Sequence, residues 1–115
     1  MATIRIVPRI RVMFGHDIAL GPGKVALLEH IGRTGSLRKA AEAMEMSYMR
    51  AWTLVQTMNH CFKKPLVITR HGGTMGGGAL VTVEGKAIAA LYRRMEAQSL
   101  RSTKSIQAKM TKYLR

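Results

Sequence analysis

Arg38, Lys39, Arg50, Lys63, Lys64, Arg70 and His71 cluster in the middle of the chain, and their chemistry is that of anion contact. A guanidinium fork can hold a phosphate or take the O6 and N7 edge of guanine, whereas a lysine ammonium acts on a phosphate as a point charge. Arg50 has both uses open to it. A guanine contact would carry sequence information; a phosphate contact, at least as common, would carry none. Tyr48, Met49 and Thr53 stand beside it at the start of an amphipathic run, where a helix entering a nucleic-acid groove presents its side chains. Arg38 and Lys39 open a shorter run, in which cations oppose the helix dipole unless phosphates lie nearby.

Other chemistries find less support. The six acids are scattered, with no paired carboxylates and no nucleophile beside a base, so no enzyme is expected. The four histidines and Cys61 show neither CxxC nor HxxxH spacing, and no metal or other cofactor is expected. His71 to Gly78 holds five glycines in eight residues but lacks the Gly-Lys-Ser/Thr ending of a nucleotide-binding loop. As the one tryptophan, Trp52 is expected to pack in the core or at its edge, with stacking on a base as the alternative. The nine methionines read as soft filler of core and interface.

These residues must be positioned by helices and a hairpin. Ser36 is an N-cap before Leu37 to Met44, where Leu37, Ala40, Ala41 and Met44 share a face. Ser47 caps a longer helix that buries Ala51, Leu54, Val55 and Met58. Two helices joined so tightly cross steeply, as in a helix-turn-helix. Upstream, Ile4, Ile6, Ile10 and Val12 alternate with Arg5, Arg9 and Arg11, which predicts a strand over Thr3 to Phe14, at an edge or bent at Pro8. Gly21-Pro22-Gly23 opens a helix with Ala26, Leu27, Leu28 and Ile31 inside, ended by Gly32 or Gly35. Downstream, Leu66 to Arg70 and Ala79 to Val83 form a hairpin around the glycine-rich tip. Thr82 caps a last helix whose apolar side is Ile88, Leu91, Tyr92 and Met95, continued by Ile106 and Met110. From Arg93 to Arg115 seven basic residues meet one acid, Glu96, a basic helix that is frayed or ordered against a partner.

The order predicts a mainly α fold with a small β-hairpin: a winged helix-turn-helix with an N-terminal strand and a C-terminal dimerisation helix. One domain spans 1–115, with the helix-turn-helix at about 36–60, the wing at about 66–83 and the last helix at about 84–110. Nineteen Lys and Arg against six Asp and Glu leave a net charge of +13, which an anionic partner would relieve. No apolar run nears the roughly 20 residues of a membrane span, and the N-terminus lacks a secretory core, so no membrane partner and a cytoplasmic, nucleoid location are expected. A single cysteine fits a reducing compartment.

The stretches GSLRKAAEAMEMSYMRAW, MNHCFKKPLV and TRHGGTMGGGALVTVEGKAI resemble the N-terminal DNA-binding domain of the ModE family of molybdate-responsive transcription regulators, itself similar to LysR-type winged helices. The likeness runs from about Leu20 to Ala97. It implies a homodimer that reads a palindrome in double-stranded DNA. Ser47, Tyr48, Met49, Arg50 and Trp52 would act from the second helix, and Arg70, His71, Gly72, Gly73, Gly76, Gly77 and Gly78 from the wing. With Arg38, Lys39, Thr53 and Lys64 they make up the expected DNA-binding set. The chain departs from the pattern at Glu45, where the family usually has glycine, so Glu45 either turns left-handed at a cost of about 1 kcal/mol or uses another turn. The molybdate-binding domains of full-length members are not expected in this chain, and with them no small-molecule effector. The expected function is sequence-specific transcription regulation. A general nucleoid or RNA-binding protein is the alternative, and a module that binds acidic proteins is a third class.

Overall fold

The computed structural model describes residues 2–70 and 78–115. Its first regular element is not the long strand that the arginine alternation predicts. Only Val12–Phe14 (β1) is strand, paired antiparallel with Asp17–Leu20 (β2). Phe14 faces Asp17 across the two-residue loop Gly15-His16, and Gly15 takes the left-handed φ of 63° that such a loop demands of its first residue. Thr3 to Arg11 joins no strand or helix, because Pro8 withdraws a ladder donor and no second strand lies alongside. The segment is anchored at one point, where the Tyr92 hydroxyl donates to the Ile10 carbonyl at 2.7 Å.

Helix α1 (Pro22–Thr34) starts on its proline and ends at Gly35, whose φ of 67° lets its N–H reach the Ile31 carbonyl; Gly32 lies inside the helix. The buried face is Val25, Leu27, Leu28 and Ile31, while Ala26 is only half-buried. Helix α2 (Leu37–Ala43) is capped by Ser36 Oγ, which accepts from Lys39 N at 3.1 Å. Helix α3 (Tyr48–Cys61) is capped in the same way by Ser47 Oγ, which accepts from Arg50 N at 3.1 Å. Between them Glu45 has turned left-handed, φ 55°. Its N–H bonds the Glu42 carbonyl and that of Met46 bonds the Ala41 carbonyl, each at 3.0 Å, the paired bonds of a Schellman helix end.

Strands β3 (Val67–Thr69) and β4 (Ala79–Val81) pair antiparallel, Val67 opposite Val81 and Thr69 opposite Ala79. Asn59 ties α3 to this wing: its Oδ1 accepts from Leu66 N at 2.8 Å and Val67 N at 3.2 Å, and its Nδ2 donates to Val67 O at 2.9 Å. Thr82 caps α4 (Val83–Ser102) by accepting from Gly85 N. Arg93 clamps α4 to α1 through both Glu29 oxygens and reaches Glu96 at 2.7 Å. Those N–H groups hold the Glu29 carboxyl below its ordinary range, so the clamp's contribution is present above that range and fades as pH falls through the lowered value.

The expected single C-terminal helix is two. At Thr103 the hydroxyl donates back to the Ser99 carbonyl and the Gln107 amide occupies the Leu100 carbonyl, which breaks the ladder before α5 (Lys104–Thr111). No helix among the described residues is long and apolar enough to cross a membrane.

Two substitutions test this packing. A Cβ at Gly85 would overlap the Leu66 carbonyl oxygen and lie 2.7 Å from Val81 Cγ1, so Gly85→Ala is expected to lose about 1–3 kcal/mol in urea unfolding although alanine favours helices. Glu45→Gly removes the left-handed penalty and should gain roughly 0.5–1 kcal/mol in the same measurement.

Candidate nucleic-acid interface

Successive residues of α3 are turned about 100° around its axis. Ala51, Val55 and Met58 therefore form one inward stripe, and all three are fully buried. Opposite them Met49, Thr53 and Gln56 make the outward ridge, with Tyr48 and Trp52 on one flank and Arg50 and Leu54 on the other. Met49 is 63% exposed, and Trp52 is 41% exposed, which corrects the expectation that it packs in the core or at its edge. The reason is angular: the inward stripe is filled by smaller side chains, and position 52 lies well off it. Sequence reasoning misses Gln56 although its signal is there, one turn beyond Trp52 on the polar side of the helix; a glutamine amide can pair with adenine.

The hydroxyls on this helix are partly committed. The Ser47 oxygen caps the helix. Thr53 Oγ1 donates to the Met49 carbonyl at 2.9 Å, leaving its oxygen and methyl outward. Arg38 and Lys39 are exposed in the first turn of α2, which carries no acid. Lys64 lies 3.7 Å from Glu84, so this expected DNA contact already has a neighbouring carboxylate. At the base of the wing, exposed Arg70 donates its backbone N–H to Gly78 O at 2.8 Å, and Ala79 N donates to Gly35 O at 2.9 Å, which fastens the wing to the end of α1. Gly78 is half-buried there. His71, Gly72, Gly73, Gly76 and Gly77 lie outside the described residues.

All nineteen Lys and Arg fall within the described residues, yet among those residues only Lys64 and Arg93 reach a carboxylate within 4 Å. Arg38, Lys39, Arg50 and Arg70 thus present unneutralised charge around α3 and the wing.

No protein-family profile matches the chain. Individual proteins do. Over 85% of its length it is 37% identical to the molybdenum transport protein ModE of Azotobacter vinelandii, of which it covers 36%. It is 45% identical over 68% of its length to the molybdenum-pterin-binding protein MopB of Rhodobacter capsulatus, covering 29% of that protein. Against the DNA-binding transcriptional dual regulator ModE of Escherichia coli K12 the identity is 37% over 62% of this chain and 27% of the relative. The chain spans about a third of the length of the curated relatives it matches. Among solved structures, the full-length LysR-type regulator LysG of Corynebacterium glutamicum with bound arginine superimposes with a TM-score of 0.56 at 18% identity, over 81% of this chain and 30% of that one. Sequence likeness and fold together show that this chain carries a winged helix-turn-helix of the ModE family.

Proposed function

We propose that the chain is a sequence-specific, double-stranded DNA-binding transcription regulator that works as a homodimer. The observation that carries this reading is the outward surface of α3, where Tyr48, Met49, Trp52, Thr53 and Gln56 stand exposed or half-covered amid unpaired cations. In this reading α3 lies in the major groove, Arg38, Lys39, Lys64 and Arg70 hold phosphates, and the wing follows the backbone. The regulator names of the relatives support it. The domain contacting DNA is one unit across 1–115, it acts in the cytoplasm, and no effector or catalytic role is assigned to it.

Helices α4 and α5 offer the surface for a second subunit. Leu91, Met95, Ile106 and Met110 are all exposed, and α5 buries no residue. An apolar stripe of that length on a basic helix is an interface rather than a free surface, and a two-fold axis would set two α3 helices about 34 Å apart, at successive major grooves. The runner-up is a general nucleoid or RNA-binding protein, favoured by the seventeen cations that lack a carboxylate partner among the described residues (19 basic residues less Lys64 and Arg93).

Mobility shifts on genomic fragments, with random DNA as competitor and at two salt concentrations, separate the two. A regulator keeps one complex while bulk DNA is competed away; uniform competition would favour the nucleoid reading. Trp52→Ala should lower affinity for the preferred site by about 1–3 kcal/mol and narrow its margin over random DNA. Lys39→Ala should instead weaken all sequences alike. In sedimentation equilibrium at micromolar protein and moderate salt a dimer is expected and Met95→Glu should dissociate it; a strictly monomeric wild type would contradict the two-fold arrangement.

A further inference from the structure

Arg9, Arg11, Lys24 and Arg50 line one groove of about 530 Å³, together with Gly21, Pro22, Gly23, Ile18, Met46 and Leu54. The four cations come from three separate places: the N-terminal segment, the first turn of α1 and the first turn of α3. No carboxylate lines the groove, and among the described residues none of the four makes a salt bridge. Ile18, Met46 and Leu54 give it an apolar wall, next to which charge attraction is screened less than in open water.

We infer that this groove seats a backbone phosphate of bound DNA, so that Arg50 grips the backbone rather than reading a base, and that Arg9, Arg11 and Lys24 extend the footprint beyond the helix-turn-helix. The inference rests on the DNA-binding reading above. Arg50 lies on the flank of α3 turned toward the N-terminal segment, a turn before Leu54, and not on the outward ridge of Met49, Thr53 and Gln56. Arg9 and Arg11 both line the groove, whereas Ile10 between them does not. Ile10 itself is fixed by the Tyr92 hydroxyl and packs on the core, so the two arginines are placed before any ligand arrives. Arg11 lies against the start of α1: a Cβ at Gly21 would be in ordinary contact with Arg11 Cγ, at 3.8 Å, and with the Ile10 carbonyl oxygen, at 3.9 Å.

Lys24 shows the strain of this arrangement. It donates one N–H to the Ile18 carbonyl. Burial pushes its ammonium pKa down and the Arg11 charge adds to that, against the opposing pull of Cys61 and Asp17. A phosphate would offset the cost of burying the ammonium and accept from its remaining N–H groups.

The test compares wild type with Arg9→Ala/Arg11→Ala, Lys24→Met and Arg50→Ala, measuring affinity against salt concentration on the preferred site and on random duplex. Each lost phosphate contact should flatten the slope of log K against log salt by about 0.9 and weaken both DNAs by the same factor. Arg9→Gln/Arg11→Gln, which keeps the side-chain stems, repeats the comparison should alanine disturb the segment. Unchanged slopes in variants of a DNA-binding wild type would overturn the inference, as would an Arg50→Ala variant that relaxes preference at a single base pair. Calorimetric titration with inorganic phosphate alone is the third arm: binding below the millimolar range that the same substitutions abolish would make the groove a free-anion site and overturn its assignment to DNA. A wild type that binds no DNA would fail the functional reading itself, a result distinct from the others.

Discussion

Three alanines set the geometry on which everything else depends. Ala40 and Ala41 of α2 and Ala51 of α3 are essentially without solvent exposure, and each contributes only a methyl group to the core that α1, α2 and α3 share. Small side chains let helix backbones approach closely, and a larger residue at any of these buried positions would have to displace its neighbours. The Schellman end at Glu45 and the Ser47 cap then fix where α3 begins and at what rotation. Once Ala51 is inside, helical periodicity leaves no choice about which residues are outside.

The wing is registered to this helix pair by polar groups as well as by the buried side chains of Leu66, Val67, Ala79 and Val81. Asn59 closes three bonds to Leu66 and Val67, and Gly85 lets α4 rest directly against the Leu66 carbonyl. The Gly35 carbonyl receives Ala79 N from the other strand. These bonds tie α3, strands β3 and β4 and the end of α1 to one another, which matters for a surface meant to meet a stiff, regular polyanion. The excess of cations has the complementary effect. With six acids for nineteen bases, the protein cannot neutralise its own surface, and its stability rests on a core that buries no charged residue among those described.

What is legible in the sequence is what is decided within a few residues. Ser36, Ser47 and Thr82 cap their helices because a hydroxyl needs only the N–H three positions on. Gly35 and the wing strands are legible for the same reason, and the ModE-like motifs carry the fold. The failures involve partners distant in sequence. The alternation of Ile and Arg before Val12 has the period of a strand, but nothing in it shows that no neighbouring strand exists or that Tyr92, far along the chain, takes the Ile10 carbonyl. Residue type draws Trp52 toward the core, and its angle on the helix places it outside. For Arg50 the sequence leaves base and phosphate both open, because its position relative to Arg9, Arg11 and Lys24 is a fact of tertiary structure.

In the proposed complex α3 reads sequence in two copies related by two-fold symmetry. Selection of bound duplexes from a random pool, followed by sequencing, tests it with no target chosen in advance. An enriched inverted repeat whose half-site centres lie about 10 base pairs apart is expected. Retention of the pool without enrichment of any sequence would contradict it.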